Sequence, residues 1–188
     1  MEKDVKPDIR YLNDMRDMFI DASTDENPPL YYMYRGIKQE NGLRYDITVI
    51  PPLMFGNEFN KTKGHYHCSG HNELYIVLKG EGIFLMQKGE DDEVSDAYYV
   101  KAKEGEAVIV PEGYGHFTIN PSQDTALEMA NWISLECVSD YEPIENKKGA
   151  CYFYTTKGWI KNNNYKKVPE LRQEEPLKQA PQELDFLK

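Results

Sequence analysis

The chain has few cysteines and no long apolar run. No stretch approaches the roughly 18 consecutive apolar residues that a membrane-spanning helix needs. The first ten residues, MEKDVKPDIR, lack the apolar core of a signal peptide. The three cysteines are an odd number without paired spacing, so a disulfide framework is not expected. Together these absences predict a protein of the reducing cytoplasm.

Basic residues are also short in supply. The 188 residues include 22 lysines and arginines against 32 aspartates and glutamates, which gives a formal net charge of −10. A nucleic-acid surface needs a basic face, so this balance argues against a nucleic-acid partner. A small anionic ligand is still possible, because a few local donors can bind one phosphate group.

Short strand patterns dominate the chain from Leu30 onward. They are separated by glycine, proline and asparagine, and Asn41-Gly42 is typical of a two-residue hairpin turn. Many short strands at even spacing predict an all-β fold, either an antiparallel sandwich or a barrel.

Two other segments flank these strands. Apolar residues at three-and-four spacing within residues 8–21 predict a short amphipathic helix. The stretch after Glu142 is rich in lysine, asparagine and proline, and it holds one more strand at 151–156 and an extended tail. We therefore expect a single domain, 1–188, with three parts: an N-terminal segment (1–29), a barrel core (30–141) and a C-terminal extension (142–188).

Histidine is scarce, so its placement is informative. Of four histidines, three lie within residues 65–71 and the fourth is His116. Residues i and i+2 of a strand project from one face, so His65 and His67 should present two imidazoles side by side. Glu73 begins the next predicted strand and can face this pair. His116 follows a Pro-x-Gly turn and can complete the set.

These side chains form a donor set of three imidazoles and one carboxylate. Such a set suits a divalent ion such as Fe(II), Mn(II), Ni(II) or Zn(II). Four protein ligands on an octahedral ion leave two positions for water or substrate, which is typical of a catalytic site. His71 lies in the turn, and three roles stay open for it: a surface residue, a substrate contact or a substitute ligand.

The same side chains belong to two spaced motifs. Residues 105–120 follow the pattern G-x5-P-x-G-x2-H-x3-N, and residues 65–80 read HYHCSGHNELYIVLKG. Together they resemble the paired motifs of the cupin superfamily. The first motif departs from the usual spacing, because five residues separate His67 from Glu73. The resemblance implies a double-stranded β-helix, or jelly-roll, barrel.

Within this superfamily, residues 10–141 resemble the cupin-type phosphoglucose isomerases. The segments that carry the resemblance are RYLNDM, PPLYYMYRG, YDITVI, TKGHYH and ELYIVLKGEG. The metal ligands that it implies are His65, His67, Glu73 and His116. The substrate contacts that it implies are Thr48, Thr62 and the backbone around Gly64 for the phosphate, with Tyr31 and Tyr75 lining the pocket.

The chain departs from this family after the last core strand. The family has a Gly-His-Asp-Tyr run there; Asp140 and Tyr141 persist, but Ser139 stands at the histidine position. An earlier tyrosine of the family corresponds to Trp132 or Ile133. These departures bear on the sugar specificity.

The resemblance implies a metal-dependent aldose–ketose isomerase that interconverts glucose 6-phosphate and fructose 6-phosphate in glycolysis and gluconeogenesis. Each subunit would hold one divalent metal, with Fe(II) the first candidate. Glu73 would be the catalytic base, although a hydride shift remains open. Two alternatives also remain: another cupin metalloenzyme, such as an Fe(II) dioxygenase or a sugar epimerase, and a non-catalytic sugar-binding cupin. A homodimer is expected, because barrels of this size leave sheet edges that can pair.

Overall fold

A computed structural model describes residues 5–68 and 70–188, and strands are the main regular structure in this part of the chain. In chain order, the strands are β1 (Asp8–Tyr11), β2 (Pro29–Glu40), β3 (Leu43–Ile50), β4 (Met54–Phe55), β5 (Glu58–Phe59), β6 (Tyr66–His67), β7 (Glu73–Lys79), β8 (Glu81–Glu90), β9 (Glu93–Lys103), β10 (Ala107–Val110), β11 (Gly115–Ile119), β12 (Leu127–Ser134), β13 (Ser139–Asp140), β14 (Tyr152–Thr155), β15 (Gly158–Lys161) and β16 (Arg172–Glu174). The helical segments are α1 (Glu142–Asn146) and the 3-10 turns Leu12–Asp14, Arg16–Met18 and Asp185–Leu187.

Two sheets form the body of the molecule. The first has six strands in the order β1-β2-β3-β12-β7-β10, and the second has the order β11-β8-β9-β16. Strand β12 lies between β3 and β7, so strands that are distant in the sequence become neighbours, as in a jelly roll. Side chains of both sheets meet in one hydrophobic core. The predicted all-β jelly-roll class is confirmed.

Local turn chemistry explains the hairpin of β2 and β3. Strands β2 and β3 pair antiparallel, with Glu40 opposite Leu43. Asn41 and Gly42 between them have φ angles of 52° and 80°. A two-residue hairpin turn of type I′ requires positive φ angles at both central residues, and asparagine and glycine tolerate such angles best.

The N-terminal segment differs from the single amphipathic helix expected over residues 8–21. The first residues of this segment form strand β1, which pairs with β2. The 3-10 turns Leu12–Asp14 and Arg16–Met18 follow. Among the described residues, no helix has the length and hydrophobicity needed to cross a membrane.

The buried side chains of this segment explain the difference. Leu12, Met15 and Met18 are all buried, and they are spaced by three residues. That spacing matches a 3-10 turn, which has 3.0 residues per turn, rather than the longer period of an α-helix. Ile9 belongs to the same apolar pattern in the sequence, but it lies on β1 and is 36% exposed.

A buried ion pair joins the N-terminal segment to the barrel. The ammonium of Lys61 contacts the carboxylate of Glu58, and both residues are buried. Lys61 Nζ also donates to the Met18 carbonyl at 2.7 Å, and Glu58 Oε2 accepts from the Ile20 N–H at 2.8 Å. Burial lowers the pKa of Lys61, and Glu58 opposes that shift. Each charge therefore depends on the other for its stability in the interior.

The C-terminal arm, residues 171–188, runs along the outside of the barrel. Strand β16 pairs parallel with β9, and Arg172 contacts the carboxylate of Asp96. Leu177 exchanges two backbone hydrogen bonds of 2.9 Å with Ala107. Near the end of the arm, Leu187 is fully buried. The strand predicted at 151–156 is present as β14, which forms a hairpin with β15.

The variant Lys61→Met should be markedly less stable than the parent, because it leaves the Glu58 carboxylate buried without a cation. Removing one partner of a buried pair costs about 3–5 kcal/mol, so the free energy of unfolding in urea should fall by about that amount. The double variant Lys61→Met/Glu58→Gln should recover more than half of the loss, since the new amide oxygen still accepts from the Ile20 N–H. Equal losses in the two variants would contradict this explanation.

Candidate metal centre and substrate cavity

The candidate ligands come from different sheets of the fold. His67 is the last residue of β6, Glu73 is the first residue of β7, and His116 lies on β11. His65 forms a backbone bridge with His116, with N–H···O distances of 3.3 and 3.1 Å. The bridge brings the two imidazole ring centres to 4.4 Å from each other.

The four side chains converge on one point. Each of His65, His67, Glu73 and His116 offers one ligand atom, and these atoms lie within 4.8 Å of one another. Glu73 Oε2 is 3.3 Å from His67 Nε2 and 3.1 Å from His116 Nε2. Among the described residues, neither Glu73 Oε2 nor His67 Nε2 has a hydrogen-bond partner of acceptable geometry, although both atoms are buried. Buried polar atoms that face one another without bonding fit a shared cation.

Neighbouring groups fix the orientation of two of these side chains. His67 Nδ1–H donates to the main-chain carbonyl of His71 at 2.8 Å, which leaves Nε2 as the ring nitrogen that faces the cluster. Glu73 Oε1 accepts from Asn131 Nδ2 at 2.7 Å, which leaves Oε2 for the cluster. Outer contacts of this kind are typical of metal sites, because they set the tautomer and the direction of each ligand. His71 thus contributes to the cluster through its backbone.

The protonation states are compatible with cation binding. Burial raises the pKa of Glu73, but His116 and His67 outweigh it and hold that pKa below its ordinary value. Burial and the nearby His116 lower the pKa of His65 well below its usual value. Burial also lowers the pKa of His67, but the neighbouring Cys137 thiol and the Glu73 carboxylate raise it to about 10. A cation that binds His67 Nε2 therefore displaces a proton.

One cavity brings three members of the cluster, His65, Glu73 and His116, together with the predicted substrate contacts. Its lining includes all five of those residues, which are Tyr31, Thr48, Thr62, Gly64 and Tyr75. The Tyr75 hydroxyl is 3.3 Å from His116 Nε2, beside the cluster. The other four share the cavity wall with His65 and His116.

Two hydrogen bonds between main-chain N–H groups and side-chain hydroxyls hold the segment that precedes the histidines. Thr62 Oγ1 accepts from the Thr118 N–H at 2.9 Å, and the Tyr31 hydroxyl accepts from the Lys63 N–H at 3.3 Å. Lys63 also contacts the carboxylate of Glu145 on α1. These contacts keep the chain next to the cluster of His65, His67, Glu73 and His116 in a defined position.

Gly64 cannot be replaced by a larger residue without rearrangement. Its φ angle is +75°, a region that side chains rarely adopt. A Cβ added to it would lie 2.1 Å from the ring of Phe117. The glycine therefore lets the backbone pass close to β11, where His116 lies.

Several cavity residues were not predicted. The additional lining residues are Met33, Arg35, Arg44, Asp46, Met129, Asn131, Ile133, Ser139 and Tyr141. The Asp46 carboxylate binds Arg44 Nε at 2.8 Å and accepts from the Gly36 N–H at 2.6 Å. A signal for two of them was present in the sequence, because Asp46 and Arg44 precede Thr48 by two and four residues and share its strand face.

The departures from the family pattern also lie at this cavity. Ile133, rather than Trp132, lines it, because the Trp132 ring packs against Tyr45 at 4.9 Å between ring centres. Ser139 lies opposite His67 in the pairing of β13 with β6 and also lines the cavity. Tyr141 places its ring 5.3 Å from that of His65.

Comparison with known proteins identifies the family. The family model described as glucose-6-phosphate isomerase matches residues 13–170. This chain belongs to the glucose-6-phosphate isomerase family. The glucose-6-phosphate isomerase of Thermococcus litoralis is 33% identical over 154 residues, which cover 77% of this chain and 78% of that relative. That of Pyrococcus horikoshii is 32% identical over 148 residues, which cover 74% and 76%.

A solved structure of oxalate oxidase aligns with a TM-score of 0.49 and 17% sequence identity. The alignment covers 67% of this chain and 60% of the oxalate oxidase chain. At these values the likeness does not bear on the chemistry of the site.

Replacing His116 with alanine should sharply reduce the bound metal, because it removes one of the four converging donors. We expect at least a tenfold loss of affinity for a divalent ion, in line with the effect of removing even an outer contact of a metal site. Elemental analysis and titration with Mn(II) would measure it. The control Tyr75→Phe removes only the neighbouring hydroxyl and should keep the stoichiometry. Unchanged metal content in His116→Ala would remove this ligand from the set.

Proposed function

We propose that this chain is a metal-dependent aldose–ketose isomerase that interconverts glucose 6-phosphate and fructose 6-phosphate. The observation that carries the proposal is the convergence of three imidazoles and one carboxylate on one point. His65, Glu73 and His116 of this set also line a cavity that contains Thr48 and Thr62. Membership of the glucose-6-phosphate isomerase family supports the same reaction.

The proposed ligands of the metal are His65, His67, Glu73 and His116. Fe(II) is the first candidate, and Mn(II), Ni(II) and Zn(II) suit the same nitrogen and oxygen donors. A bound divalent ion would stabilise the negative charge that develops on O1 and O2 of the open-chain sugar. The backbone carbonyl of His71 supports this proposal, because it accepts from Nδ1–H of His67 and leaves Nε2 as the ring nitrogen that faces the cluster.

The phosphate end of the sugar is proposed to bind at Thr48, Thr62 and the backbone of Gly64. Hydroxyl and N–H groups can bind a dianion without a lysine and arginine cluster. Arg35 and Arg44 line the same cavity and add positive charge to it. Because Asp46 neutralises part of the charge of Arg44, the hydroxyl donors remain important for binding.

Glu73 is the proposed catalytic residue for proton transfer between C1 and C2. Its Oε2 atom faces the cluster, and Asn131 holds its other oxygen at 2.7 Å. A carboxylate that also binds a cation is a weakened base, so a hydride shift between the same carbons is the alternative path. Tyr31 and Tyr75 are proposed to line the substrate pocket, which is supported by their position in the cavity wall.

We also propose a cytoplasmic homodimer that acts in glycolysis and gluconeogenesis, folded as a single domain over residues 1–188. The free thiols of Cys68, Cys137 and Cys151 suit a reducing compartment. Exposed apolar side chains such as Leu135 and Val138 offer surface for a second copy.

Removal of the metal should abolish isomerisation, because the proposed charge stabilisation is then lost. After dialysis against a chelator, we expect at least a hundredfold fall in turnover of fructose 6-phosphate in an NADP-coupled assay. Addition of Fe(II) or Mn(II) under nitrogen should restore turnover, since an isomerase needs no oxygen whereas a dioxygenase does. Full activity in protein shown to be free of metal would contradict the proposal.

The variant Thr48→Val keeps the shape of the side chain but removes its hydroxyl. A hydrogen bond to a charged group contributes about 1.5–3 kcal/mol, so KM for fructose 6-phosphate should rise by about tenfold or more. The control Thr48→Ser retains a hydroxyl and should stay close to the parent. Steady-state kinetics with fructose 6-phosphate and with fructose would separate phosphate binding from sugar binding. An equal rise of KM for both sugars would argue against a phosphate contact.

A further inference from the structure

The loop between His67 and Glu73 connects two proposed metal ligands. It carries the His71 carbonyl that accepts from His67 Nδ1 at 2.8 Å. The position of this carbonyl decides where the His67 ring points. Whatever holds the loop therefore influences the geometry of the cluster.

Asn72 ties this loop to two other parts of the molecule. Its Oδ1 atom accepts from the Glu112 N–H at 2.9 Å, and its Nδ2 atom donates to the Phe186 carbonyl at 2.8 Å. Glu112 belongs to the turn that leads into β11 and His116. One side chain thus links the loop of the first motif, the turn of the second motif and the C-terminal arm.

The arm is firmly seated where it meets Asn72. Leu187 is fully buried and packs in a cluster with Leu43, Leu74 and Ala107. Leu74 follows Glu73 directly and pairs with Trp132, the neighbour of Asn131. The end of the arm therefore packs against the side of the sheet opposite the hydrogen-bonded pair Glu73–Asn131.

We propose that Asn72 is a positioning residue for the metal cluster and that the C-terminal arm acts on the cluster through it. The family match ends at residue 170, so the arm lies beyond the part that this chain shares with the family model. The inference rests on the proposed metal site, but it does not require that the reaction be the proposed one. By holding Asn72, the arm would keep the His71 carbonyl in place and thus the His67 ring directed at the cation.

The central experiment is a Co(II) titration of the full-length chain, followed by the visible absorption of the bound ion. Asn72→Ala should bind Co(II) about tenfold more weakly than the parent and give an altered absorption spectrum, as expected when an outer contact of a metal site is lost. Hydrogen exchange of the metal-free protein should be faster at residues 70–72 in this variant. The control Gln173→Ala removes the hydrogen bond between Tyr99 and the other end of the arm, and it should match the parent.

A chain truncated after Leu184 tests the route through the arm, because it lacks the Phe186 carbonyl and Leu187. It should also bind Co(II) more weakly, and adding Asn72→Ala to it should cost less affinity than in the full-length chain. If the truncated chain does not fold, the Co(II) affinity and the hydrogen exchange of Asn72→Ala decide the test. Unchanged Co(II) affinity in Asn72→Ala would overturn this inference and leave the proposed function intact. A parent chain that binds no Co(II) would instead remove the proposed metal site.

Discussion

The structure depends on a set of buried polar atoms that face one another without bonding to one another. Glu73 Oε2 and His67 Nε2 are both buried and lie 3.3 Å apart, without a hydrogen bond of acceptable geometry. A buried polar group left unsatisfied costs about 1–3 kcal/mol, so a fold retains such a set where a ligand satisfies it. The surrounding contacts, from Asn131 and the carbonyl of His71, favour this convergent arrangement over an alternative in which the side chains pair among themselves. The jelly-roll scaffold brings the donors together from strands that are distant in the sequence.

The convergence of the four candidate ligands could be predicted from the sequence, because histidine is scarce and successive residues on one face of a strand are only two positions apart. In an extended segment, histidines at i and i+2 lie on the same face, and this holds wherever the strand begins or ends. The cavity residues Arg44 and Asp46 were missed for a different reason. Charged residues on a half-buried strand usually face solvent, so the strand face that they share with Thr48 did not lead to a prediction that they pair inside the cavity.

Other parts of the fold could not be predicted because they depend on contacts rather than on local pattern. The apolar spacing within residues 8–21 suits an α-helix and a pair of 3-10 turns almost equally well, and the buried positions of Met15 and Met18 decide between them. The C-terminal arm has little periodicity. The attachment of its last residues involves one buried leucine, Leu187, and the main-chain carbonyl of Phe186, and a main-chain group leaves no trace in a sequence.

The close approach of Gly64 to the Phe117 ring couples two positions that are far apart in the chain. The aromatic ring occupies the volume into which any side chain at position 64 would project. Because the interior is close-packed, a larger residue at one of the two positions requires a smaller residue at the other. Relatives with a smaller residue at the position of Phe117 can therefore tolerate a side chain at the position of Gly64, provided that its backbone angle relaxes. Residues at positions 64 and 117 should therefore vary together among relatives. Such covariation would identify relatives in which the packing beside the histidines has changed.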